Sequence, residues 1–369
     1  MFIRLEQKPL LQILAQAQTV VERKTTSQQL TNVYLKASGQ SLSVYATDLE
    51  VSLVGEINCE IIQEGVATVG AKTLFEVIRE LKPHSLRLST QQNHWLDIQQ
   101  DKFHSKIIGI PPEEYPVFIL NLPNEWVQIP SVALKTLIGK TDYAMATDSA
   151  RSHLMGEYFV HRDGYLQMAS TDSHRLAVAF WEYQGKIPLP IKNGIIIPKK
   201  GILEIKKLLD DSDANDHLDI ASDGTQIFVR KPGITLGIRL LDGNFPNYRS
   251  LEIKHKSFAV MDKNEVIGAI KRVSLFSSHK SKAINCRFDA GVLSIQTNSL
   301  EFGDAVDEIP IELKGPPQTI TFNPKYILDC LSTISEEKVE MHLSGAESAS
   351  EIKGHGSKSD IHIVMPMKV

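Results

Sequence analysis

Asp172 and His174 have the residue types of a general base and its orienting partner, two positions apart. They sit in Ser170-Thr171-Asp172-Ser173-His174-Arg175-Leu176-Ala177-Val178-Ala179-Phe180, a polar turn that runs into an apolar, strand-like stretch. No nucleophile or oxyanion donor accompanies them, and no Walker loop, HExxH helix or Cys/His zinc spacing occurs in the chain. A hydrolase or transferase built on Asp172 and His174 is therefore the alternative reading, and a non-catalytic chain without metal or cofactor is the main one. The 12 histidines are scattered, and His153 and His161 are expected at the surface rather than as ligands. Cys59, Cys286 and Cys330 lie far apart and read as reduced, small apolar residues of a cytoplasmic protein.

Phosphate binding is the second chemistry the residues suggest. The chain of 369 residues has a net charge of −4, yet six helical windows (6–24, 68–82, 131–142, 198–209, 263–282 and 321–335) together carry +10. A consistent cationic excess on helices, opposed by an acidic remainder, points to a common cationic centre. Lys72, Lys199, Lys200, Lys206, Lys271 and Arg272 would attract phosphates there without reading bases. The start, Met1-Phe2-Ile3-Arg4-Leu5-Glu6, lacks the cationic lead and apolar run of a signal peptide, and no apolar stretch is long enough to span a bilayer. No membrane partner is expected.

The elements that position these residues recur. Weaker copies of the Thr171 turn lie at Ala46-Thr47-Asp48-Leu49-Glu50-Val51 and at Thr297-Asn298-Ser299-Leu300-Glu301-Phe302, so the steps between threonines are 171 − 47 = 124 and 297 − 171 = 126. Helical apolar spacing begins near Pro9, Val132 and Asn264, making Leu14, Leu137 and Ile270 equivalents. A second helix follows in each third, with Leu74, Ile202 and Ile327 aligned, and the Leu74, Val77, Leu81 stripe predicts its buried face. Each third closes on a proline-marked turn, at Pro116, at Pro246 and at Pro366. The reading is an α+β fold of three repeated domains, 1–122, 123–253 and 254–369, each with two helices packed on antiparallel sheet.

Four stretches carry a family resemblance: Thr171-Asp172-Ser173-His174-Arg175-Leu176-Ala177, Asp242-Gly243-Asn244-Phe245-Pro246-Asn247-Tyr248-Arg249, Pro198-Lys199-Lys200-Gly201 and Val364-Met365-Pro366-Met367. With the triplication, they make the chain resemble the β sliding clamps of bacterial replicative DNA polymerases along its whole length. The resemblance implies three clamp domains per chain and a head-to-tail homodimer whose six domains close a ring around duplex DNA. It implies a processivity factor that binds DNA without sequence preference and tethers the polymerase, the clamp loader and other proteins carrying a short apolar motif. It places that protein in the bacterial cytoplasm, at the nucleoid. A specialised clamp that replaces the housekeeping one under drug stress is a variant of the same reading.

Residues that match the family's peptide pocket are Arg151, Leu154, Thr171, His174, Arg175, Leu176, Pro246, Tyr326, Val364, Met365, Pro366 and Met367. Two or three buried apolar anchors at roughly 1.5–3 kcal/mol each, less ordering cost, correspond to about micromolar affinity, which suits exchanging partners. Arg23, Lys72, Lys199 and Lys200 match DNA-contact positions, and Lys280 and Lys282 extend that set on charge. Ile107 and Phe276 are the expected apolar contacts of ring closure between first and third domains. The chain departs from the family at Ser173, where many relatives have glycine, at Ser250 and Glu347, and at Ser27-Gln28-Gln29-Leu30.

Overall fold

The computed structural model describes residues 1–21, 27–116, 120–183, 185, 194–210, 212–213, 215–251, 253–277 and 283–368. Helices occupy the places that apolar spacing assigns them: α1 (Gln7–Val20), α2 (Ala71–Glu80), α3 (Ser131–Thr141), α4 (Lys199–Asp210), α5 (Lys263–Ser274) and α6 (Pro324–Thr333). The equivalents Leu14, Leu137 and Ile270 are all buried, as are Leu74, Ile202 and Ile327. Each such side chain contributes about 1.5–3 kcal/mol of apolar burial, so these six hold the helices on their sheets. On α2 the buried stripe is Ala71, Leu74 and Ile78, while Val77 and Leu81 are only half-buried. The expected face was thus turned by one position. Local chemistry starts two of the helices: Asp262 accepts from the N–H groups of Asn264 and Glu265, and Asn323 accepts from Lys325 N–H beside Pro324.

Every strand pairing among the described residues is antiparallel. Contacts divide them into two compact units, one joining Met1–Val132 to Lys200–Leu240, the other built mainly from the residues after Ala133 and after Leu241. The middle repeat is shared because its strands complete two different sheets. Ile234–Arg239 pairs with Val51–Asn58, and Arg175–Glu182 pairs with Asp360–Val364.

In the first unit an eight-stranded sheet runs in the order Val127–Pro130, His217–Ser222, Gln226–Lys231, Ile234–Arg239, Val51–Asn58, Ser41–Thr47, Asn32–Ser38, Gly65–Gly70. A five-stranded sheet in the same unit ends on Phe103–Ile107. α1 packs on Ser41–Thr47 and Val51–Asn58 and against α2. In the second unit a nine-stranded sheet has Arg175–Glu182 and Asp360–Val364 at its middle, and a four-stranded sheet ends on Gly303–Pro310. α5 packs on Val292–Ser299 and Gly303–Pro310 and against α6. Helices on antiparallel sheet, twice per repeat, is the α+β architecture the spacing implies.

Candidate functional sites at the repeated turn and the helix faces

The 171–175 turn is set by its own side chains. Thr171 Oγ1 donates to Arg175 O at 2.6 Å and accepts from Ser173 N–H at 3.0 Å. Asp172 Oδ1 accepts from the N–H groups of His174 and Arg175, both at 3.0 Å. Four bonds in five residues hold Ser173 at φ +76°, a left-handed conformation that a non-glycine residue adopts at a cost. Asp172 is therefore not a base aimed at the His174 ring. Its second oxygen takes Arg175 Nε at 3.1 Å, while the His174 ring stacks on Tyr326 with centroids 6.3 Å apart.

Arg175 is the hub beneath this turn, only 8% exposed. Besides Asp172, its guanidinium donates to Asp329 Oδ2 at 2.6 Å and to Tyr143 O at 2.7 Å. It lies between the rings of Tyr143 and Tyr326, at 5.1 and 4.6 Å from their centroids. Burial pushes the Asp329 carboxyl up, but bonds from Arg175 and Lys325 outweigh it and hold it below the ordinary carboxylate range. With each of its three nitrogens engaged, Arg175 supports the turn from within the chain.

The other expected pocket residues gather in the same unit at different depths. Leu154, Thr171, Leu176 and Val364 are buried. Above them His174, Pro246 and Arg151 are exposed, Tyr326, Pro366 and Met367 are half-buried, and Met365 is 41% exposed. The strand Asp360–Val364 delivers the last of these: Val364 pairs with Arg175, Met365 N–H donates to His174 O at 2.8 Å, and Met367 N–H to Thr321 O at 2.8 Å. Arg151 reaches Ser173 Oγ through Nη1, so the serine found in place of glycine has a partner. Glu347 is exposed. His153 and His161 are half-buried, the latter with Nε2 3.2 Å from Tyr183 O.

The 47–51 turn repeats this bonding: Thr47 Oγ1 to Val51 O at 3.0 Å, Leu49 N–H to Thr47 Oγ1 at 3.0 Å, and the N–H groups of Glu50 and Val51 to Asp48 Oδ1. The expected copy at Thr297 does not. Thr297 Oγ1 donates to Ala283 O, and the bend is closed by Ser299 Oγ accepting from Glu301 and Phe302 N–H. A copy that the sequence reading missed lies at Ser222-Asp223-Gly224-Thr225-Gln226, where Ser222 Oγ donates to Gln226 O at 2.8 Å and Asp223 Oδ1 accepts from Thr225 and Gln226 N–H. Its signal was the Ser-Asp-Gly triplet, with glycine at the left-handed position (φ +92°).

Of the expected DNA contacts, Lys72 stands on α2 with its side chain 79% exposed and its ammonium 3.7 Å from Glu76. Lys199 opens α4 and is half-buried. Lys200 turns inward, donating to Val20 O at 2.7 Å and to Asp48 Oδ2, because the buried Asp48 carboxylate needs a cation. Its ammonium is thus engaged within the chain, with the side chain 30% exposed. Arg23, Lys280 and Lys282 lie outside the described residues. Of the residues expected at ring closure, Ile107 is buried, and the next residue, Ile108, is exposed at 69%. Phe276 is exposed, with Leu275, Phe302 and Val306 also exposed nearby in sequence or on the Gly303–Pro310 edge. The three cysteines are free, and burial pushes the Cys286 thiol up to about 12, so it is inert.

A cleft of about 590 Å³ between Tyr34, Tyr45, Leu120, Arg230 and Ile234 holds none of the expected site residues. The comparisons with known proteins cover the whole chain. Models of the DNA polymerase III beta subunit match in order: the N-terminal domain over residues 1–121, the central domain over 128–247 and the C-terminal domain over 251–368. The beta sliding clamp of Pseudomonas aeruginosa is 31% identical over 371 residues, covering 100% of both chains, and that of Caulobacter vibrioides is 28% identical over 378 residues, again with 100% of both covered. The crystal structure of the Pseudomonas aeruginosa DNA polymerase III subunit beta superposes with a TM-score of 0.93 at 30% identity over 100% of both chains. The Bacillus subtilis DNA polymerase sliding clamp superposes with a TM-score of 0.92 at 25% identity, over 100% of this chain and 99% of that one. This chain belongs to the DNA polymerase III beta-subunit family, the beta sliding clamps.

Proposed function

We infer that the chain is a DNA sliding clamp, a non-catalytic processivity factor that works as a homodimer, holds the replicative polymerase on duplex DNA and acts in the cytoplasm. The observation that carries this reading is the ordered, full-length match of all three family domains. Repeat boundaries near residues 122 and 253 give three domains per chain and six per ring. Two sheet edges that are unpaired among the described residues supply a closure. Phe103–Ile107 carries exposed Phe103 with Ile108 beside it, and Gly303–Pro310 carries exposed Val306 with Phe302 and Phe276 nearby. Pairing one copy's first edge with the other copy's second satisfies both ladders and covers both apolar sets.

Lys72 and Lys199, with Arg23, Lys280 and Lys282, provide sequence-independent phosphate contacts. The surface around Met365, His174, Tyr326, Pro246 and Pro366, floored by Leu154, Leu176 and Val364, takes a short peptide with apolar anchors. Polymerase, clamp loader and other motif-bearing proteins would compete for it. After loading by the cognate loader, a dimer by light scattering should stay on nicked circular DNA and run off the same DNA once linearised. Equal retention on both forms would remove the function and leave the fold.

A further inference from the structure

A buried polar chain runs through the second unit to the surface beside Met365. Lys140 Nζ on α3 donates to Asp360 Oδ1 at 2.8 Å, and Asp360 Oδ2 lies 3.0 Å from His362 Nε2. His362 Nδ1 is 2.9 Å from Tyr143 Oη. Tyr143 passes the chain on through its carbonyl to Arg175, and Arg175 reaches Asp329 and Asp172. Asp360 is 1% exposed and His362 not at all. A carboxylate only accepts, so Nε2 donates to it and Nδ1 is left to the Tyr143 hydroxyl. Burial first, with Cys330 adding, holds that phenol well above its ordinary value, so it keeps its proton.

The two ends of the chain are the two walls of the candidate groove. Asp360 and His362 belong to the strand that ends in Val364 and Met365, while Arg175 and Asp172 fix the turn that presents His174. Asp329 and Tyr326 on α6 brace the same guanidinium and, through ring stacking, the His174 ring. A register or tilt change in either wall would move Met365 against His174. We propose that Tyr143, His362 and Asp329 are positioning residues of the peptide groove, setting affinity for an apolar-anchored peptide that they never touch. The proposal rests on the groove reading above. Its physical basis is preorganisation: walls already fixed in the free protein need no ordering when the peptide arrives.

The test uses the full-length dimer and a fluorescein-labelled peptide carrying two leucine anchors, with Kd read by anisotropy well below the melting temperature of each variant. Tyr143→Phe keeps the ring and removes only the hydroxyl; Asp329→Asn keeps the shape and removes one charge from Arg175. Each should weaken Kd by about three- to tenfold, the equivalent of one side chain to be ordered on binding. A merely structural role would lower the melting temperature and leave Kd of the folded protein unchanged. Met365→Asp serves as the control for the groove itself. Binding that is lost in Met365→Asp but stays within twofold of the parent in both other variants overturns the positioning role alone. A parent chain that does not bind the probe, or binds it equally well with Met365→Asp, overturns the groove reading and this inference together.

Discussion

At the 47–51 turn the second aspartate oxygen meets Lys200, whose ammonium also caps Val20 O. At the 171–175 turn the second aspartate oxygen meets Arg175, a residue of the turn itself. The backbones are otherwise alike. Leu49 and Ser173 sit at φ +78° and +76°, Arg239 N–H donates to Glu50 O as Met365 N–H donates to His174 O, and Val51 faces Ile238 as Arg175 faces Val364. Where one copy places Glu50 and Arg239, the other places His174 and Met365. The first is a charged, internally sealed junction. The second turns its charge inward and leaves apolar surface outside. A repeat fixes the backbone, and a handful of side chains decide which copy can be a site.

The largest expected effect breaks the sealed copy. Lys200→Glu leaves the Asp48 carboxylate, 5% exposed, against a second anion, and should cost about 3 kcal/mol, the low end for a broken buried pair because the lysine is partly exposed. Urea unfolding measures it, and a loss below about 1 kcal/mol would mean that the ion pair does not seal the junction.

Acid sharpens the comparison from the other side. The Asp329 carboxyl is depressed in the folded chain, burial being outweighed by Arg175 and Lys325, so its contribution is complete above the ordinary value of 3.8 and is lost as pH falls through the lower folded value. The melting temperature of the parent should therefore fall more steeply below that pH than that of Asp329→Asn. Identical acid limbs would show that the hub under the open turn carries no linkage.

The smallest effect concerns the left-handed residue in each turn. Leu49→Gly should stabilise by about 0.5 kcal/mol, the relief of a bulky residue at positive φ less the entropy of the freer unfolded chain. Ser173→Gly should gain less, because it forfeits the bond from Arg151. Equal gains in denaturant midpoint would show that this bond contributes nothing.

Much of this was legible beforehand because it depends on near neighbours. Helical spacing found the six helices among the described residues, and the Thr-Asp pair marked two turns that are closed by hydrogen bonds within five residues. What was not legible depended on strand parity or on distant partners. In Ile107-Ile108-Gly109-Ile110 a run of apolar residues does not say which faces inward, and one step of register separates a core residue from an exposed one. Lys200 reads as a free cation until Asp48, 152 positions away, is brought beside it. The same holds for Arg175, whose partner Asp329 lies 154 positions on.

By itself the sequence determined the repeat, the helices, the turn chemistry and the excess of positive charge on the helices, since each is written in spacings of a few residues or in one regular period. Tertiary structure decided which charges are spent inside the chain and which residues of an apolar run face out. It also decided which of the like turns keeps an apolar surface. Those outcomes depend on pairs far apart along the chain, and burial of a carboxylate or an isoleucine is a property of what packs against it.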